Sequence, residues 1–350
     1  MKIINICANF GGSKDGIGDY SSKIVNKMLE LNKDVKIRTF SSNIEDYSKL
    51  KRIFSLKMSF NIKQAYKLLI KEKHDLVNIE YPFTEWNPLI LYFYNKLVKV
   101  CNKKNVRICI SLHEYDRVNI LRKLVIKLLI KKADFILVTS NEIKKHTEKY
   151  NSNSYIRHIP SNIYKTRDVE LGEKVPNTYV FFGLINSSKA FDEMINGWKN
   201  NYNKIENGKL IIITSSNIEL EENYGIEIRR NLSDSEIENI MQKSTYTILP
   251  IKPVINMNNA TLKTATLFGN IPIGKFSKSI KDTNKKFYIE MENYEDNEFS
   301  KVFEYIRKIE KEKLNELQKN SIDFGNEYKI DNIANTILNI YAKEIKEDRA

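Results

Sequence analysis

The chain has 350 residues, 41% of them hydrophobic and 29% charged, a composition of folded globular proteins rather than disordered or fibrous ones, and its length favours two domains. Its longest apolar runs, such as residues 88–94, fall far below the about 18 residues that span a bilayer, and no positive start leads into an apolar leader, so a cytoplasmic protein is expected. The net charge of +13 is uneven, with 32 Lys and Arg against 17 Asp and Glu in residues 1–170 but 25 against 27 in the rest; the first half is therefore expected to face an anionic partner, whether nucleic acid, acidic membrane or phosphorylated substrate.

Residues 2–8 (KIINICA) read as a strand, and residues 9–18, with four glycines, as a loop. Residues 19–31 set Ile24, Met28 and Leu31 on one helical face. Further strands fall at 34–40, 75–80, 106–112, 134–139 and 155–159, with helices at 62–70, 89–102, 118–132 and 141–150. This repetition predicts a parallel sheet with helices on both faces. The strands are near-continuous apolar runs, as burial on both faces requires. Residues 166–177 (TRDVELGEKVPN) are polar, contain Gly172 and Pro176, and read as the domain junction. Alternation then restarts, with strands at 179–182, 210–214, 226–229, 245–249 and 271–273 and helices at 191–200, 233–242 and 260–268. Ser233 and Glu236 form a capping box, and long polar helices follow residue 294. Two successive Rossmann-like halves, with a last helix able to cross back, are the economical architecture. Cys7, Cys101 and Cys109 form neither a CxxC nor a disulfide framework and read as small core residues.

In doubly wound sheets ligands bind beyond the carboxyl ends of strands. Four post-strand segments carry candidate chemistry. Residues 11–18 (GGSKDGIG) bring backbone N–H groups near a helix start, which favours anionic groups; their spacing fits neither the dinucleotide fingerprint nor the P-loop, and a plain glycine-rich surface loop is the alternative. In ISLHEY, His113 ends a strand and can donate or accept a hydrogen bond near neutral pH, with Glu114 or Asp116 as a base; a structural His–carboxylate pair is the alternative. His74 and His146 read as solvated. In FFGLINSSK, Gly183 permits a close turn and Lys189 can meet a diphosphate, unless it is an exposed lysine on an ordinary turn. In NNATLKTA, Asn259 or Thr261 would cap a helix whose first N–H groups form a diphosphate cradle.

In this order, GGSKDGIGDYSSKI, DLVNIEYPF, ISLHEY, ADFILVTS, IPSNI, FFGLINSSKAFDEMI, NLSDSEIENIMQKSTYTILP and ATLKTATLFGNIPIG resemble a GT-B glycosyltransferase of the family 4 type, over most of residues 1–275. The resemblance implies an α/β fold of two Rossmann-like domains facing across a cleft. Residues 1–165, with a C-terminal helix at 328–350 crossing back, would be the acceptor- and membrane-facing domain, and residues 177–325 the nucleotide-sugar domain. It implies that Gly12, Gly16, Gly18 and Asp19 face the donor phosphate and acceptor, and that His113 and Glu114 are the catalytic pair near the transferred sugar. Gly183, Lys189, Asn258, Asn259, Thr261, Leu262 and Thr264 would bind the donor. Leu184 stands where the family usually has an arginine, and Met257 and Thr264 where it often has two glutamates, one on the sugar and one on the ribose. Some branches carry a Ser/Asn-Gly/Ala-Thr-Leu pattern there, which this chain resembles more.

The expected function is transfer of a sugar from a nucleotide-diphosphate donor to a glycan or lipid-linked acceptor in bacterial surface polysaccharide synthesis. The resemblance implies retention of configuration. With no Asp-x-Asp metal motif in a credible loop, neither metal nor other cofactor is expected; amides and Lys189 would stabilise the leaving diphosphate. Residues 121–132 (LRKLVIKLLIKK) alternate basic and aliphatic residues at helical spacing. In the family such helices lie on the anionic inner membrane surface, whereas an ordinary helix packing on the sheet is the alternative. No helix-turn-helix, RNP or zinc pattern supports nucleic-acid binding. A catalytically silent glycosyltransferase-fold partner subunit and a sugar-nucleotide epimerase remain as rivals.

Overall fold

Short apolar runs separated by amphipathic stretches leave parallel strands joined by helical crossovers as the pairing that satisfies the backbone. The computed structural model describes residues 1–7, 10, 16–41, 51–81, 88–113, 115, 118–161, 163 and 165–347. The chain divides into two units, Met1–Ile159 with Ile330–Ala350, and Pro160–Lys329.

The first unit contains β1 (Lys2–Ile6), α1 (Gly16–Leu31), β2 (Lys36–Phe40), α2 (Lys51–Lys71), β3 (Leu76–Tyr81), α3 (Pro88–Lys104), β4 (Arg107–Leu112), α4 (Ile120–Ile130), β5 (Phe135–Val138), α5 (Asn141–Thr147) and β6 (Ser154–Ile156). Its strands lie in the order β2-β1-β3-β4-β5-β6, all parallel. Every residue of β3 is buried, as helices on both faces demand. Ile4, Val77, Ile108, Ile110 and Ile136 meet Ile62, Leu97 and Ile126 from the helices in one core. Cys7, Cys101 and Cys109 are buried free thiols.

The second unit contains β7 (Val175–Phe182), α6 (Phe191–Asn201), β8 (Lys209–Ile213), β9 (Ile226–Arg229), α7 (Asp234–Lys243), β10 (Ser244–Leu249), α8 (Ala260–Leu267), β11 (Ile271–Gly274), α9 (Lys278–Lys281), β12 (Ile289–Glu290), α10 (Asp296–Lys308) and α11 (Lys311–Glu327). The order is β12-β11-β10-β7-β8-β9. Aromatic edges fill its core: the buried Trp198 meets Tyr179 and Phe303. The Ser233–Glu236 capping box opens α7 as expected. Gly325 lets α11 approach α8, since a methyl there would collide with the backbone of Thr266 and Leu267. The last helix, α12 (Ile330–Glu347), returns to the first unit.

Three expectations are corrected. The stretch 166–177 belongs to the second unit, and β7 already starts at Val175. Pro176 is tolerated in this central strand because it sits at the strand's start, where the pairing with β10 shifts register between Ser244 and Tyr246. Lys174 anchors the stretch: its Nζ donates to the carbonyls of Met241, Ser244 and Phe268 and to Asn270 Oδ1, at 2.6–3.1 Å. The helix read at 62–70 is longer, running Lys51–Lys71. His74 is buried rather than solvated, and burial lowers its pKa.

Replacing Lys174 by Met leaves several carbonyl oxygens without their donor, and is expected to cost about 2–4 kcal/mol in urea denaturation. A loss under about 0.5 kcal/mol, typical of surface sites, would show that the anchor contributes nothing.

Candidate functional site

In the second unit the chain runs outward through β7, β8 and β9, then returns to the far side of β7 as β10. Loops after β7 and β10 must therefore diverge, and such a reversal is where doubly wound sheets hold ligands. Both loops carry predicted residues. They are stitched together: Ala190 N–H donates to Pro250 O at 2.7 Å, Lys252 N–H to Ser188 O at 2.8 Å, and Lys189 bridges Ile251. Tyr294 Oη braces the loop from below, accepting from Ile251 N–H and Lys275 N–H and lying 3.0 Å from Leu249 O. Sequence reading missed Tyr294, which lies 45 residues beyond Leu249.

Gly183 has φ +129, a conformation that side chains disfavour. A Cβ there would lie 2.9 Å from Lys189 Nζ and 3.8 Å from Thr261 Oγ1. Glycine, ammonium and hydroxyl thus converge on one point. Lys189 Nζ also lies 4.7 Å from the Phe181 ring centroid, and burial pushes its pKa down to about 8. Asn259 is the N-cap of α8, its side chain accepting from Leu262 N–H at 2.7 Å. The Leu262 amide is thereby used within the helix, and its side chain is core. Thr264 is wholly buried, bonded to Ala260 O and Ser161 Oγ, each at 3.0 Å. Asn258 Oδ1 is buried and has no hydrogen-bond partner among the described residues. Leu184, which follows Gly183, is 56% exposed.

In the first unit His113 follows β4. Its Nε2 lies 2.7 Å from Glu80 Oε2 and 2.9 Å from Arg157 Nη2. Arg157 Nη1 donates to both Glu80 oxygens, at 3.1 and 3.2 Å. The network runs on beneath the sheet's carboxyl edge: Asn78 donates to Glu80 Oε1 and Asn5 Oδ1, and accepts from Ser111 Oγ. Parallel register aligns these residues, Asn5 with Asn78 and Glu80 with Ser111. Tyr20 of α1 closes one side, its ring edge-on to His113 and under the Arg157 guanidinium. Burial raises the Glu80 carboxyl, but the Arg157 charge and the His113 and Asn78 hydrogen bonds outweigh it and hold it at about 2. Glu80 and Arg157 were not singled out in the sequence; they lie 77 residues apart.

Glu114 and Gly12 lie outside the described residues. Gly16 and Gly18 are inside α1 rather than in the preceding loop, because the helix starts at Gly16. Asp19, in its first turn, pairs with Lys23 at 3.1 Å.

No family model matches the sequence, and no curated protein matches it. Solved structures match along nearly the whole chain. Sucrose-phosphate synthase from Thermosynechococcus elongatus is 11% identical over 98% of both chains, with a TM-score of 0.69. HepE from Anabaena, in complex with UDP, is 10% identical over 98% of this chain and all of that one, at 0.67. A glycosyltransferase from Rickettsia africae is 13% identical over 99% and 98%, at 0.65. The fold is that of the GT-B glycosyltransferases.

Because Glu80 is held below its ordinary value of 4.5, its contribution to stability is complete above that pH and is lost as pH falls from about 4.5 toward 2. Acid unfolding should steepen in that window, and Glu80→Gln should flatten it. An unchanged acid profile in Glu80→Gln would contradict this assignment.

Proposed function

We propose that this protein transfers a sugar from a nucleotide-diphosphate donor, with the second unit holding the diphosphate. The observation that carries the reading is the convergence of Gly183, Lys189 Nζ and Thr261 Oγ1 at the reversal of strand order. Glycine lets a phosphate approach the backbone, the ammonium meets its charge, and the start of α8 adds N–H groups of the right polarity. As the glycosidic bond breaks, negative charge grows on the leaving diphosphate, and donors fixed in advance there lower the barrier. This chemistry asks for no cofactor: Lys189 supplies the positive charge. UDP bound to HepE supports a uridine nucleotide as the first donor to try. A glycan or lipid-linked acceptor, retention of configuration and a place in surface polysaccharide synthesis complete the reading. The resemblance sets His113 near the transferred sugar.

Calorimetry with a panel of sugar nucleotides tests this directly. Lys189→Met should weaken donor binding about 10- to 100-fold, as loss of a charge-assisted hydrogen bond does. Wild-type affinity should fall as pH rises through about 8, where Lys189 loses its proton, and this dependence should vanish in the variant. Absence of binding to every donor at millimolar concentration would sink the reading.

The outer face of α4 supports a second element, docking of the first unit on an anionic membrane surface. Val125, Ile126, Leu129 and Ile130 face the core. Ile120, Leu121, Leu124 and Leu128 are 78, 60, 49 and 47% exposed. Lys123, Lys127 and Lys131 flank them at four-residue spacing, with Lys127, Lys131 and Lys149 all within 5.7 Å of the Tyr150 ring centroid. Aliphatic side chains beside a lysine stripe suit the headgroup boundary. Among the described residues no helix is long and apolar enough to cross a membrane, so the attachment proposed is peripheral. Each lysine adds about 1 kcal/mol near an acidic leaflet. Changing Lys123, Lys127 and Lys131 to Gln should therefore reduce flotation with anionic vesicles about 100-fold in partition coefficient. Equal wild-type binding to neutral vesicles would refute the electrostatic part.

A further inference from the structure

We infer that Tyr294 is a positioning residue that sets, through Ile251, where the Lys189 ammonium stands. Lys189 and Ile251 form an antiparallel bridge. It is flanked by the bonds from Ala190 N–H to Pro250 O and from Lys252 N–H to Ser188 O, at 2.7 and 2.8 Å. The two bridged residues of such a pair exchange no hydrogen bond with each other, and their own N–H and C=O groups point outward. On the far side of Ile251 both groups meet one hydroxyl. Tyr294 Oη accepts from Ile251 N–H and lies 3.1 Å from Ile251 O. The same oxygen accepts from Lys275 N–H at 3.2 Å, just past the end of β11, and lies 3.0 Å from Leu249 O, at the end of β10. Lys189, Ile251 and Tyr294 thus stand in a row, with the phenol in the place of a third strand.

The hydroxyl is fully used. A phenol offers one proton and two lone pairs; two N–H groups take the lone pairs, and the proton goes to Leu249 O or Ile251 O. The Tyr294 ring belongs to the second unit's core, which fixes the oxygen from behind. Gly274 leaves room for the hub, since a Cβ there would lie 2.7 Å from Leu249 O and 3.5 Å from Tyr294 Oη. The Lys189 backbone follows Ile251, and the reach of its Nζ to the point it shares with Gly183 and Thr261 Oγ1 follows that backbone. Lys252, on the same hairpin, is paired with Glu193 at 2.5 Å. On the proposed reading that Lys189 meets the leaving diphosphate, Tyr294 touches no substrate. It holds the lysine to the tolerance such a site needs, where a misplacement of about 1 Å can cost about 100-fold in rate.

The test is a titration of Lys189 in the unliganded full chain labelled with 13C-lysine and followed at Cε, the signal being assigned by its loss in Lys189→Arg. In the wild type burial holds this ammonium at about 8. Tyr294→Phe keeps the ring and removes only Oη. The hairpin is then expected to shift and release the ammonium toward solvent, raising its midpoint by at least about 1 pH unit toward the ordinary lysine value. An unchanged midpoint in folded Tyr294→Phe overturns the inference, because a role confined to packing would lower stability and leave the lysine where it was. Ile306→Val trims the same core from α10 and is expected to leave the midpoint alone; a shift of equal size there would overturn the inference as well. Should Tyr294→Phe not fold, amide exchange in the wild type decides. Lys275 N–H, which donates to Tyr294 Oη, is expected to exchange at least about 100-fold more slowly than in an unstructured peptide, and exchange at the unstructured rate overturns the brace. Neither measurement needs a donor, so failure of every sugar nucleotide to bind would remove the transfer reading and leave the placing of Lys189 tested by itself.

Discussion

Parallel strands cannot be joined by tight hairpins, and every connection must cross a face of the sheet. A sheet built this way from its middle outward has to reverse once, and at the reversal two neighbouring strands send their chains to opposite faces. In the second unit those strands are β7 and β10. The position of Lys189 depends on that constraint. The lysine is six residues from Gly183 in sequence, yet its ammonium returns to the glycine because Ala190 and Lys252 are hydrogen-bonded into the neighbouring loop. The turn is shaped before any ligand arrives, which is the condition under which fixed donors stabilise a developing charge without reorganising.

The two units treat charge in opposite ways. Around Lys189 no ion-pair partner is present among the described residues, and burial alone lowers its proton affinity. A positive group in that condition gains from an incoming anion. Around Glu80 every charge is answered within the protein, and the carboxylate makes bonds to arginine, histidine and asparagine. Such a closed arrangement has little to gain from a charged ligand and much to lose when one member is removed. It holds its side chains still, whereas the lysine is left with a charge that the described residues do not answer.

The alternation of strands and helices was plain in the sequence because it rests on local signals. So were Gly183, Lys189 and the cap at Asn259, which sit at fixed offsets from strand ends. Residues whose roles depend on distant partners were not legible. Arg157 follows a short strand and looks like any basic surface residue, until β6 takes its place three strands from β3 and aims the guanidinium back at Glu80. Lys174 lies in a stretch polar enough to read as a linker, and only the carbonyl ends of β10's approach and of α8 reveal why it is there. Thr264 shows the limit from the other side. A position that the resemblance gives to ribose binding is occupied by a hydroxyl turned into its own helix and toward Ser161.

The return of α12 ties the order of synthesis to the order of folding. Glu344, on that helix, is wholly buried and takes a hydrogen bond from Arg107 and another from Tyr155. Tyr341 closes the same face of the sheet against Phe135. Until α12 leaves the ribosome, Arg107 of β4 has Asp134 but not Glu344 beside it, and Tyr155 of β6 lacks the carboxylate it donates to. The whole second unit, Pro160–Lys329, is translated in that interval, which lasts roughly 10–30 s at about 5–20 residues per second. The unit that starts first therefore finishes last, and the nascent chain carries an uncovered sheet face while the whole second unit is made.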